Sequence, residues 1–183
     1  SISLMRLWAH AFWAGRSFQR STPPVSSPTP TAMARTRRGG DYGSWNKDES
    51  DPTQKCSNSF DKPNAYGGAG YALKLDYDVD SPNPAYNGFW MKLQGTNAST
   101  YKSLVLYVKG DMGRGYSPQI KLELKNGTEV GKFLLKGITD DWQQVSIPLK
   151  EFAGLTDLSS LTEFVVVFDD LTSTKKVGTI YLD

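Results

Sequence analysis

From Tyr71 to the last residue the chain alternates apolar and polar side chains in short runs, and each run ends in turn-forming residues. In "YALKLDYDV" (71–79), Tyr71, Leu73, Leu75, Tyr77 and Val79 oppose Ala72, Lys74, Asp76 and Asp78. A period of two puts successive side chains on opposite faces of an extended strand, and it does not build the 3.6-residue stripe of an amphipathic helix. The same reading gives strands over 86–93, 103–110, 119–127, 130–137, 142–149, 163–170 and 178–183. Asn126-Gly127 is the strongest hairpin signal among them. "TDLSSL" (156–161) reads as one helical turn with Thr or Asp in the capping position. Eight strands without a sustained helix predict an all-β domain, a two-sheet antiparallel β-sandwich of jelly-roll type. Aromatics at 12% and 17 glycines suit that class.

Charge divides the chain at residue 41. Residues 1–40 hold six Arg, no Lys and no acidic residue, whereas 41–183 hold 15 basic and 19 acidic side chains. The first 40 residues are expected to be a disordered leader, linker or non-native segment, and 41–183 the folded domain. A mildly acidic domain lacks the clustered basic surface that nucleic acid requires. No apolar run approaches the roughly 20 residues of a spanning helix, so no membrane partner is expected.

The residue inventory also limits chemistry. Cys56 is the single cysteine and His10, in the leader, the single histidine, so neither an intramolecular disulfide nor a His-dependent triad can form. Asp169 and Asp170 are neighbours on one strand and point to opposite faces, so they cannot act on one substrate as acid and base. Asp76, Asp78 and Asp80 follow a D-x-D-x-D spacing, but Ser81 and Asn87 stand where a calcium loop needs Gly and Glu. The chain is read as not an enzyme.

"NPAYNGFWMKLQG" (82–94) holds the densest aromatic cluster. Parity puts Phe89, Met91 and Leu93 on one face and Tyr86, Gly88, Trp90 and Lys92 on the other. If 71–79 and 86–93 form a hairpin, Trp90 shares its face with Asp76 and Lys74. An indole bordered by charged groups suits a sugar, whose C–H face stacks on the ring while its hydroxyls bond to polar partners. The alternative is that the polar, Gly-rich segment 41–66 covers that face and makes Trp90 core. Trp45, within that segment, is either a binding aromatic or a pin for the covering loop. Tyr116, on the turn "GRGYSPQ", is a further edge contact.

"DDWQQVSIPLKEF" and "VGTIYLD" bring a family into view. A Trp opening a strand, then Val-x-Ile-Pro-Leu and x-x-Phe, with a final Ile-Tyr-Leu-Asp strand, resembles the galactose-binding-like β-sandwiches. These include carbohydrate-binding modules of polysaccharide-degrading enzymes and the related complex-I intermediate-associated protein 30 domain. The resemblance covers roughly residues 65–183. It implies a non-catalytic module, secreted or at the cell surface, that binds a polysaccharide or oligosaccharide of β-glucan, mannan or xylan type as a monomeric part of a larger enzyme. The alternative it carries is a structural or assembly domain that binds protein. On this reading sugar rings stack on Trp90 and on Tyr86 or Tyr116, with Trp45 a further contact, and Asp76, Lys74 and Asn87 or Gln144 bond to hydroxyls. No cofactor is required. The family's last strand runs past its Asp, so the resemblance implies a C-terminal truncation, and it allows a structural calcium near Asp183 and Asp48.

Overall fold

A computed structural model of the chain describes residues 41–68 and 70–183. The leader 1–40 lies outside the described residues. Ten strands form two five-stranded antiparallel sheets: β1 (Tyr42–Asn46), β2 (Lys55–Asp61), β3 (Ala72–Asp78), β4 (Tyr86–Thr96), β5 (Ser103–Gly110), β6 (Gln119–Lys125), β7 (Val130–Lys136), β8 (Gln143–Pro148), β9 (Leu161–Asp169) and β10 (Val177–Leu182). One sheet, the front, has the order β1-β4-β9-β6-β7, and the back sheet has the order β2-β3-β10-β5-β8. The all-β sandwich read from the alternation is the fold.

β3, β4 and β9 turn their apolar parity inward. Leu73, Leu75 and Tyr77 of β3, Phe89, Met91 and Leu93 of β4, and Phe164, Val166 and Phe168 of β9 all point between the sheets and are at most 5% exposed. Burying a side chain of this size is worth about 1.5–3 kcal/mol, so the facing layers supply the main drive to fold. Tyr77 of the back sheet stacks on Phe168 of the front, with ring centroids 4.1 Å apart and planes 7° from parallel. Its hydroxyl donates to the Lys175 carbonyl at 2.9 Å and accepts from the Ser117 N–H at 2.7 Å, so this buried polar group is satisfied.

Three expectations change. The segment 41–66 is not a loop. It supplies β1 to the front sheet and β2 to the back sheet, and the Cys56 N–H donates to Asn46 Oδ1 at 2.8 Å between them. The helical turn at 156–161 does not form, because the Asp157 carboxylate bonds the N–H and hydroxyl of Ser159 in a tight turn instead. Most consequentially, β3 and β4 are not a hairpin. β3 pairs with β2 and β10, while β4 pairs with β1 and β9.

Asn87 holds that crossover. Parity puts it between the sheets, where it is fully buried and its Nδ2 donates to the Asp78 carbonyl at 2.8 Å. The end of β3 is thereby tied to the start of β4 across the sandwich. Asn87→Ala is expected to lower the unfolding free energy by about 1–3 kcal/mol, because the Asp78 carbonyl loses its buried partner. Urea melts check this, and a change below about 0.5 kcal/mol would show the bond to be dispensable.

Candidate functional site

The outward parity of the front sheet carries the chemistry. Register alignment produces two rows running across the strands: Gly43, Trp90, Val165, Glu123 and Lys132 in one, and Trp45, Gly88, Val167, Lys121 and Leu134 in the next. Each row has an aromatic end on β1 and β4, a valine on the central strand β9, and a charged residue on β6. The result is a groove floored by Val165 and Val167, with Trp45, Tyr86 and Trp90 as one wall and Lys121, Glu123 and Lys125 as the other. Its larger section encloses about 500 Å³, and a second of about 360 Å³ continues past Tyr86 and Val167 toward Leu134 and Leu171.

The aromatic wall rests on bare backbone. A Cβ on Gly88 would lie 3.3 Å from Trp45 Nε1, and one on Gly43 would lie 3.4 Å from Trp90 Cζ2 and Nε1. Each indole therefore leans across the glycine opposite it on the neighbouring strand. Tyr86 stands beside Trp45, with centroids 5.9 Å apart, and is 43% exposed. Lys47 lies over the Tyr86 ring and Lys92 over the Trp90 ring, each ammonium 5.5 Å from the centroid.

The opposite wall is electrostatically balanced. Glu163 receives Lys92 and, at 3.3 Å, Lys125, while Lys121 meets Asp169 at 2.5 Å. Burial would raise the Asp169 carboxyl, but bonds from Lys121 and Thr172 outweigh it and hold the group below its ordinary value. Glu123, between these two clusters, makes no ion pair within 4 Å among the described residues and remains an acceptor.

Of the residues expected from sequence, Trp90, Tyr86 and Trp45 meet in this groove. The others lie elsewhere, because the expected β3–β4 hairpin does not exist. Lys74 and Asp76 lie on the outer face of the back sheet, where Asp76 accepts a bond from Thr179 and stands 4.0 Å from Arg114. Gln144, on edge strand β8 of that sheet, accepts from the Tyr107 hydroxyl at 3.3 Å. Asn87 is core, and the Tyr116 ring packs over Gly110, partly buried against the core. Asp183 and Asp48 are not brought together. Asp183 follows the end of β10 that adjoins Leu73, and Asp48 follows the end of β1 that adjoins Cys56 near Asp78. The length of β3, about 20 Å at 3.3 Å per residue, separates those ends. Among the described residues no group of three or more His, Cys, Asp or Glu is placed to hold a metal, so this pair does not fit the calcium site that the resemblance allowed.

Sequence reasoning missed Lys121, Glu123, Lys125, Glu163, Val165 and Val167. Their outward parity was legible in "QIKLELKNG" and "EFVVVFDD", but the order of strands that makes β9 the floor was not.

An open groove with aromatics on one wall and donors and acceptors on the other gives this β-sandwich the features of a carbohydrate-binding module. The model of the family described as "Carbohydrate binding domain (family 11)" matches residues 35–163, and the chain belongs to that family. Among solved structures, the family 11 module of cellulosomal cellulase Lic26A-Cel5E of Clostridium thermocellum is 15% identical, with a TM-score of 0.58 over 78% of this chain and 84% of that one. The Clostridium thermocellum family 11 module in complex with a β-1,3-1,4-mixed-linked tetrasaccharide is 16% identical, with a TM-score of 0.59 over 78% of this chain and 85% of that one. A β-1,2-glucanase from Parabacteroides distasonis aligns at 17% identity and a TM-score of 0.52, covering 79% of this chain and 22% of the enzyme. At these identities the likeness is one of fold. No curated protein matches the chain.

Lys121→Met tests the charged wall. Asp169 titrates below its ordinary value, so its stabilising effect is present at neutral pH and disappears as pH falls through the ordinary and then the folded value. The substitution is expected to cost about 1–3 kcal/mol at pH 7. The gap from wild type should shrink at acid pH, because Asp169 without Lys121 takes up a proton more readily than it does in the wild type. Urea melts at neutral and at acid pH measure it, and equal gaps would show that the pair does not set the stability of this wall.

Proposed function

We propose that the groove binds a neutral β-glucan chain of mixed-linkage type along the direction of β9. The observation that carries this is the meeting of Trp45, Tyr86 and Trp90 on one wall, reached from two strands. Pyranose faces stack on these rings. Hydroxyls turned to the other side meet Glu123 as acceptor and the ammonium groups of Lys121 and Lys125 as donors. A neutral ligand follows from the charge balance: four lysines and four carboxylates line the two sections, so no excess of either sign draws in a polyanion. The choice of β-glucan over mannan or xylan is supported by the mixed-linked tetrasaccharide bound to the Clostridium thermocellum family 11 module.

On this reading the domain works outside the cell as a monomeric module, holding an attached glycan-degrading enzyme against its substrate. Binding in a wet groove with few desolvated anchors falls in the micromolar to millimolar range.

Affinity gels containing mixed-linkage β-glucan, mannan or xylan test the proposal. Retardation by mixed-linkage β-glucan is expected to exceed that by the other two. Trp45→Ala, Tyr86→Ala and Trp90→Ala should each weaken binding about tenfold, the ~1.4 kcal/mol of one lost stacking contact. Lys74→Ala and Asp76→Ala, on the opposite sheet, should leave it unchanged. A folded wild-type domain that migrates freely in all three gels would refute the assignment.

A further inference from the structure

The pairing of the two tryptophans with glycines is reciprocal. β1 carries Gly43-Ser44-Trp45, β4 carries Gly88-Phe89-Trp90, and the antiparallel register sets Gly43 opposite Trp90 and Trp45 opposite Gly88. The two glycines differ in what surrounds them. A Cβ on Gly88 would stand 1.8 Å from the Val166 carbonyl oxygen, so that position is required for β4 to pair closely with β9. A Cβ on Gly43 would meet no backbone at such range. Its nearest neighbours are three atoms of the Trp90 indole, at 3.4 to 3.5 Å, which is ordinary contact distance. Nor does Gly43 adopt the left-handed conformation that would require glycine.

Space under the Trp90 ring is therefore the structural demand visible at residue 43. We propose that Gly43 is a positioning residue for the glycan groove: its bare backbone is the seat that lets the Trp90 indole lean onto β1 and sets the tilt of the stacking surface. This rests on the glycan reading of the groove and extends it to a residue that makes no contact with the sugar. A methyl at residue 43 would just touch the ring. A β-branched side chain would extend one bond further, into the volume the indole fills, and Trp90 would have to lift or turn toward Lys92. The strand itself should tolerate the change, because β-branched residues suit extended backbone and β1 is an edge strand.

The test compares Gly43→Ala and Gly43→Val in the full chain labelled with 5-fluorotryptophan. The Trp90 resonance is assigned by its loss in Trp90→Phe. Thermal midpoints and calorimetric affinity for a β-1,3-1,4-mixed-linked tetrasaccharide complete the measurement. Gly43→Ala is expected to keep the Trp90 fluorine shift and to bind within about twofold of wild type. Gly43→Val is expected to move the Trp90 resonance, to leave that of Trp142 in place, and to weaken binding about tenfold or more while the midpoint stays within ~3 °C. A purely structural role for Gly43 would lower the midpoint instead. The proposal is overturned if Gly43→Val leaves both the resonance and the affinity at wild-type values, or if Gly43→Ala loses as much affinity as Gly43→Val. Should the wild-type chain ignore the tetrasaccharide, the proposed ligand is wrong. The seat beneath Trp90 is then still decided by the fluorine shift, which needs no sugar.

Discussion

The passage of the chain from the back sheet to the front sheet between Asp78 and Tyr86 is the constraint on which the site depends. Three of the bonds that secure it lie at its two ends. The Asn87 side chain donates to the Asp78 carbonyl, the Ala85 N–H donates to the Asp170 carboxylate at 3.0 Å, and the Asp170 N–H returns a bond to the Ala85 carbonyl at 3.0 Å. β4 is thereby delivered between β1 and β9 rather than beside β3. Its outward residues Tyr86 and Trp90 then meet Trp45 instead of Lys74 and Asp76. If the crossover were a hairpin, the aromatics would be divided between two faces and no wall would exist.

The charged wall shows how a surface with this many ionisable groups can keep its charges balanced. Exposed ion pairs contribute little to stability, typically below about 1 kcal/mol, so the Lys92–Glu163–Lys125 set is better understood as fixing directions, whereas the Lys121–Asp169 pair, whose carboxylate is buried, both stabilises the wall and holds its lysine in place. A lysine held by a carboxylate retains N–H groups for a further acceptor, and its long stem is no longer free to wander. Part of the ordering cost of binding is thus met before the ligand arrives. Away from the groove the same device holds the far end of the sheet. Glu129 accepts bonds from Thr156, Asp157 and Asn126, which bring its carboxyl down to about 2 and fasten the β6–β7 turn to the loop that leads into β9.

How much of this was legible follows from what a strand pattern encodes. Alternation assigns each side chain to one of two faces of its own strand, and that assignment holds for β3, β4, β6 and β9. It cannot say which strand lies alongside, because β4 pairs equally well on parity grounds with β3 or β9. Lys74, Asp76 and Gln144 were misplaced for that reason alone: each points outward, but from the wrong sheet. Trp45 is the opposite case. Its segment is polar and Gly-rich and lacks a clean alternation, which hides the strand, yet its ring comes to lie in the groove with Tyr86 and Trp90. Tyr116 was misread because a bare glycine, Gly110, lies beneath it and draws the ring inward. A glycine that receives another residue's side chain looks, in sequence, like any turn-former.

The paired Gly-x-Trp segments show that such a glycine can nevertheless be recognised when it occurs in duplicate. Two antiparallel strands that each carry Gly-x-Trp can be registered so that every indole faces a glycine, and β1 and β4 adopt that register. Slipping the strands by two residues would set Trp45 directly against Trp90 and leave each glycine opposite a lysine. Both alternatives keep the same faces inward, so burial of the core does not choose between them. The fit of large to small across the pair does. Through one property, its lack of a side chain, each glycine accepts the ring that faces it and leaves that ring room to lean over the backbone. A groove wall built this way needs no covering loop to orient its rings, because the neighbouring strand is the surface they rest on.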